Sequence, residues 1–171
     1  MQYMRHARIH FGRSLALTWP AGEGDRRTGA ARSRHASKIE EWCVLNRYPV
    51  YIVDDEAPIR TMLEELCEVE GWNWRAFPTG SEFMEAVGDL PPGCVILDMR
   101  MPGWNGIKVQ SELAQRGAPF AIIAVTGHGD VEMAVESMKL GAIDFIEKPY
   151  ENDALIEAVG RAFDRLGMAA R

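Results

Sequence analysis

Three acids, one hydroxyl and one ammonium occupy similar places in this chain. Asp54 and Asp55 close the apolar run VYIVD, and Asp98 closes CVILD just before Met-Pro-Gly. Thr126 ends FAIIAVT, and Lys148-Pro149 follows AIDFIE. Taken singly, each has an ordinary structural account: an aspartate caps a helix, a threonine suits a strand, a lysine is solvated. Brought together, they have a shared chemistry. Three carboxylates within a few ångström repel one another and cannot all stay ionised without a cation. Hard oxygen ligands in a shallow, wet pocket suit Mg²⁺, which keeps several waters and accepts one or two carboxylates. A carboxylate beside such a cation can accept a phosphoryl group, with Lys148 compensating its charge and Thr126 donating a hydrogen bond. The sequence has no P-loop, no His/Cys metal cluster and no Ser-His-Asp order that would support another catalysis. His6 and His10 are four apart, but no third ligand has suitable spacing.

The elements that carry these groups alternate. From Pro49 the apolar pattern predicts strands at 49–54, 72–77, 94–98, 120–126 and 142–147. Helices are predicted at 57–71, 79–87, 106–116, 130–140 and 152–166. Ile59, Met62, Leu63, Leu66 and Val69 form the expected inner face of the first helix, which Gly71 ends. Asp130 can cap the fourth. WNWRAF reads as the more exposed strand, while the uniformly apolar central strands imply a parallel sheet covered on both faces. Right-handed crossovers leave few arrangements, and the flavodoxin-like (βα)5 order 2-1-3-4-5 is the commonest for five strands. That order makes strands one, three, four and five consecutive neighbours. Asp54, Asp55, Asp98, Thr126 and Lys148 then converge on one sheet edge, at the switch point where such folds bind ligands.

The net charge of −6 hides a division. Residues 1–47 hold nine Lys+Arg against four Asp+Glu, and residues 48–171 hold ten against twenty-one. The first segment reads as a basic N-terminal extension, mostly irregular, with a short amphipathic helix at 37–46; the second reads as one domain with a real core. The cysteines Cys43, Cys67 and Cys94 have unrelated spacings, which suggests buried thiols in a reducing cytosol. No apolar run approaches the roughly 20 residues that span a bilayer, so a soluble, cytoplasmic chain is expected.

VYIVDDE (50–56), LDMRMPGWNG (97–106), VTGHGD (125–130) and AIDFIEKPY (142–150) resemble the receiver domain of two-component response regulators, particularly the FixJ-type nitrogen-fixation regulators. The resemblance covers 49–166 and none of 1–47. It implies that Asp98 is the phosphoacceptor and that Asp54 and Asp55 organise Mg²⁺. Asp55 and Asp98 would be direct ligands, together with the backbone carbonyl of Arg100. Thr126 and Lys148 would bind the phosphoryl group, Phe145 would be the switch aromatic, and Lys148-Pro149 a cis peptide. Gly127-His128-Gly129 would let the loop after Thr126 move. A histidine kinase or phosphotransfer protein would be the partner. Signalling, by protein contact or as a phosphate sink, would run through the face of the fourth helix, fifth strand and fifth helix, with homodimerisation through the fourth helix and fifth strand. Trp104, near Asp98, reads either as a shield or kinase contact, or as a loop residue packed on the next helix.

FixJ-type regulators carry a DNA-binding output domain, for which no room remains after residue 166. A stand-alone receiver is therefore expected, with the receiver half of a truncated transcription regulator as the alternative. An Mg²⁺-dependent phosphatase fits less well, because such enzymes place Asp-x-Asp after the first strand. Nucleic-acid binding is not expected of this chain, unless through the basic arm.

Overall fold

A computed structural model describes residues 48–127 and 131–169. The basic extension 1–47 with its 37–46 helix, the mobile segment expected around His128 and the expected Asp130 cap lie wholly or partly outside these residues. Five strands form one parallel sheet: β1 (Val50–Val53), β2 (Trp74–Phe77), β3 (Gly93–Asp98), β4 (Phe120–Thr126) and β5 (Asp144–Glu147). Helices α1 (Ala57–Glu70), α2 (Gly80–Ala86), α3 (Gly106–Gln115), α4 (Val131–Lys139) and α5 (Asn152–Ala169) connect and close them, with a short 3-10 turn at Val87–Asp89. The strand order is β2-β1-β3-β4-β5, the flavodoxin-like order expected.

Period-two alternation sorts the strands between two cores. Val50, Ile52, Cys94, Ile96, Ala121, Ile123 and Val125 face α1 and α5. Tyr51, Val53, Val95, Leu97, Ile122 and Ala124 face the side of α2 and α3. Every residue of β1 and β3 is buried, because both faces are covered. The edge strand β2 is mostly half-buried.

The stripe on α1 is narrower than expected. Leu63, Leu66 and Cys67 are buried and Ile59 packs beside them, but Met62 is 38% exposed and Val69 81%. At about 100° per residue, Val69 lies roughly 200° around the helix from Cys67, so it cannot share that face. Gly71 ends α1 with φ +71°, its amide and that of Trp72 returning to the carbonyls of Glu68 and Cys67. Cys67 and Cys94 are buried free thiols, and burial pushes the Cys67 thiol up to about 12.

Register sets the height of the strand ends. Val53 pairs with Leu97, Asp98 with Val125 and Thr126 with Glu147. Asp54 and Asp98 therefore stand level, and Thr126 and Lys148 each lie one residue beyond the adjoining strand's partner. Lys148 is fixed further by its amide, which donates to the carbonyl of Thr126 at 2.7 Å.

Candidate functional site

The Asp54 and Asp98 side chains are almost fully buried, at 4% and 5% exposure, while that of Lys148 is 18% exposed. The Lys148 Nζ donates to Asp54 Oδ2 at 2.9 Å and to Asp98 Oδ2 at 3.4 Å. Each carboxylate is aimed by its other oxygen. Asp54 Oδ1 accepts the Glu56 amide at 2.8 Å, and Asp98 Oδ1 accepts the Arg100 amide at 3.0 Å. These are side chain to backbone i+2 turns, which short acids form readily at a strand end. The Arg60 guanidinium donates to the carbonyl of Asp54 at 2.7 Å, tying the first turn of α1 to this corner.

Burial raises the pKa of Asp98, and the nearby Asp54 charge adds to that. The Arg100 amide and Lys148 oppose both. Burial disfavours the Lys148 charge, but the hydrogen bond to Asp54 and the fields of Asp98, Asp54 and Glu56 together hold its pKa well above the ordinary lysine value. A single ammonium thus neutralises part of a pocket whose acids remain in excess. Tyr150 Oη is buried without a hydrogen-bond partner among the described residues, within the field of this pocket, and burial raises its pKa.

The sequence reading placed Asp54 and Asp98 here, and the structure brings them to one ammonium. The reading missed Glu56. Its carboxylate lies 3.4 Å from Lys148 Nζ and joins Asp54 and Asp98 in a group whose ligand oxygens all fall within 4.8 Å. Asp55, expected to be a direct ligand, is exposed and contributes no oxygen to that group. The chain bends at Asp55, and the turn closed by the Glu56 amide on Asp54 Oδ1 brings Glu56 back beside Asp54. The signal in the sequence is a short acid at a strand end, which forms such a turn readily. Arg100 reaches the site through its N–H on Asp98. Thr126 is fully buried at the end of β4, and Phe145 is half-buried against the α2/α3 core. The Lys148-Pro149 peptide is cis.

Trp104 packs against the same core, with Lys108 Nζ 4.2 Å from its ring centroid. Its backbone and Cβ press on Gly80, where an added Cβ would meet Trp104 O at 2.7 Å. The packed-loop account of Trp104 therefore describes its position. The all-oxygen donor set of Asp54, Glu56 and Asp98, two of them buried, suits a hard divalent cation.

A wound parallel sheet with acids and a lysine at its switch point defines a class, and comparison with known proteins agrees. The model of the response regulator receiver domain matches residues 50–160, and the chain belongs to that family. The transcriptional regulatory protein FixJ of Bradyrhizobium diazoefficiens is 41% identical over 122 residues, covering 71% of this chain and 60% of that protein. FixJ of Azorhizobium caulinodans is 44% identical over 117 residues, covering 68% of this chain and 56% of that protein. The chain thus spans somewhat over half the length of these relatives. Among solved structures, FixJ-N superposes with a TM-score of 0.66 at 40% identity, covering 68% of this chain and 94% of that one. Receiver domains are phosphoacceptor signalling domains that work with histidine kinases or phosphotransfer proteins and generally bind Mg²⁺ at an acidic pocket. Among the described residues, no helix is long and apolar enough to cross a membrane.

Proposed function

We propose that this chain is a phosphorylation-switched cytoplasmic regulator, with Asp98 as its phosphoacceptor. The observation that carries this reading is the Lys148 ammonium shared between the buried Asp54 and Asp98. The Asp98 carboxylate attacks the phosphorus of a phosphohistidine on the donor protein. A P–O bond forms, the P–N bond breaks, and the electron pair leaves with the imidazole. Lys148, already within reach of Asp98, turns to the new phosphoryl oxygens, and the Thr126 hydroxyl donates to one of them.

Mg²⁺ would take one or two carboxylates of the Asp54, Glu56 and Asp98 group and the Arg100 carbonyl, and would supply charge compensation at the phosphoryl oxygens. Asp54 keeps its contact with Lys148 and so limits where that ammonium can go.

Phosphorylation replaces a carboxylate of charge −1 by an acyl phosphate of about −1.5 to −2 and carries that charge outward. Thr126 and Lys148 follow that charge, Phe145 repacks, and a pre-existing equilibrium shifts on the α4–β5–α5 face. Val131, Val135 and Met138 are exposed there and suit a protein partner or a second copy. Action through that contact alone, or as a phosphate sink, is the stand-alone reading. A DNA-binding output is the second reading, favoured by relatives that are named transcriptional regulators and extend beyond the matched part.

The test is incubation with acetyl phosphate and Mg²⁺, followed by intact mass. One phosphoryl group should be gained, and the gain should vanish with Asp98→Asn. Equal labelling of that variant would overturn the assignment.

A further inference from the structure

Helix α4 is held differently at its two ends. Of its nine residues only Ser137 is buried, and it is fully buried. The Ser137 hydroxyl donates to Gln110 Oε1 at 2.8 Å, and Gln110 Nε2 donates to the Ser137 carbonyl at 2.7 Å. Gln110, on α3, is itself fully buried. The same Ser137 carbonyl accepts the Ala142 amide at 3.1 Å, while the Gly141 amide returns to Met138 and Gly141 sits at φ +94°. This is a six-to-one, five-to-two helix ending, here reinforced by a side chain from a neighbouring helix. Ala142 is buried, and the Ile143 amide then enters the sheet through Ile122. The N-terminal half of α4 has no fully buried residue: Val131 is 72% exposed and Val135 48%, and Met133 is half-buried against the α2/α3 core. That lightly held end is the one joined to Thr126, five residues before Val131.

We propose that the Gln110–Ser137 clasp is the fixed pivot of α4, about which its first turns move when Thr126 is displaced. Breaking the clasp would leave a buried amide and a buried hydroxyl unpaired, so it is the costly motion. Moving the first turn takes no fully buried side chain out of the core, only the half-buried Met133. Gln110 and Ser137 are thus positioning residues, acting on the site through α4 and Thr126. What moves the helix rests on the Asp98 reading above; what holds it does not.

The test uses NMR of the full chain, with phosphorylation first verified by mass. On phosphorylation the Val131 and Val135 methyl resonances should shift. The Gln110 side-chain amide should keep its exchange protection to within about twofold. Loss of that protection by about tenfold or more would show that the clasp breaks and would overturn the pivot. A second arm needs no phosphorylation. In Gln110→Leu/Ser137→Ala both partners become apolar, a replacement that can be nearly neutral for folding. Exchange of the amides from Lys139 to Ala142 should accelerate about tenfold or more, while those of α5 stay within about twofold. Unchanged exchange at 139–142 would overturn the inference, even if Asp98 proved not to be the acceptor. Acceleration of both helices alike would reduce the clasp to a general packing feature and also overturn it.

Discussion

Helices α4 and α5 flank the same strand, β5, yet the sequence secures them by different physics. Six of the 18 residues of α5 are buried: Leu155, Ala158, Val159, Ala162, Phe163 and Leu166. Apolar burial of this kind is non-directional and spread along the helix, so no single bond decides where α5 sits. In α4 one serine is buried, and two directional hydrogen bonds with a glycine-ended cap locate it. A helix held all along its length must move as part of the core or not at all. One held chiefly at its far end can change its angle at smaller cost, and this helix follows the strand that ends in Thr126. The difference teaches where a switch can be built: beside a rigid wall, on the element with the least apolar anchorage.

The sharpest way to break this contrast is to weaken the wall. Phe163 is 1% exposed and packs its ring against Tyr48 and, edge-on, Trp72. Phe163→Ala should cost about 3–5 kcal/mol, through lost burial and the cavity left behind. Chemical denaturation should show this as a lower midpoint with cooperative loss of the whole domain. Phosphorylation of the fraction still folded should be unchanged. Selective loosening of α5, with α4 and the sheet intact, would contradict the claim that α5 belongs to the core.

Weakening the clasp comes next. Gln110→Ala leaves the buried Ser137 hydroxyl without its acceptor and should cost about 1–3 kcal/mol, with a small cavity added. The restoring test is the apolar pair Gln110→Leu/Ser137→Ala, which should recover part of the lost stability in the same denaturation assay. If the double variant is as unstable as the sum of its singles, the bonds do not act as a unit.

How these features stood in the sequence follows from the range of the physics behind them. Strands β1, β3 and β4 were legible because a strand buried on both faces must be apolar throughout. Their order then carried Asp54, Asp98, Thr126 and Lys148 to one edge with no further information. Glu56 was obscured by the conspicuous pair Asp54-Asp55, since only the local turn at Asp55 decides which neighbour shares the side of Asp54. The overly broad α1 stripe arose because Met62 and Val69 are apolar yet lie on flanks the sheet does not reach. The Gln110–Ser137 clasp joins two ordinary polar residues 27 apart on different helices. Neither has a periodic signature, so only three-dimensional packing reveals the pair.

The charged pocket stands against both helices, since it costs stability where they supply it. Burial raises the folded-state pKa of Asp98 above the ordinary carboxylate value. Between those two pKa values the folded state binds more protons than the unfolded state, so stability falls as pH rises through that window. Above it the cost is fully present, and below the ordinary carboxylate value it is gone. Asp98→Asn should therefore raise the thermal midpoint at pH 7, and the advantage should shrink as pH falls through the window. A variant equally stabilised at pH 7 and at pH 3 would show that charge burial is not the cause.

The smallest effect is expected where the contrast predicts the least anchorage. Val135 lies on the outer face of α4 at 48% exposure, so Val135→Ser removes little buried apolar area. Stability should change by no more than about 0.5 kcal/mol, the usual range for surface positions. The same substitution at Val159 on α5, which is fully buried, should be several-fold more costly. Measuring both in one denaturation series tests the comparison within a single residue type. If Val135→Ser proves as damaging as Val159→Ser, then α4 is held by apolar contact after all. If the two differ as expected, while Val135→Ser weakens any phosphorylation-dependent self-association or partner binding, the exposed valine serves recognition rather than folding.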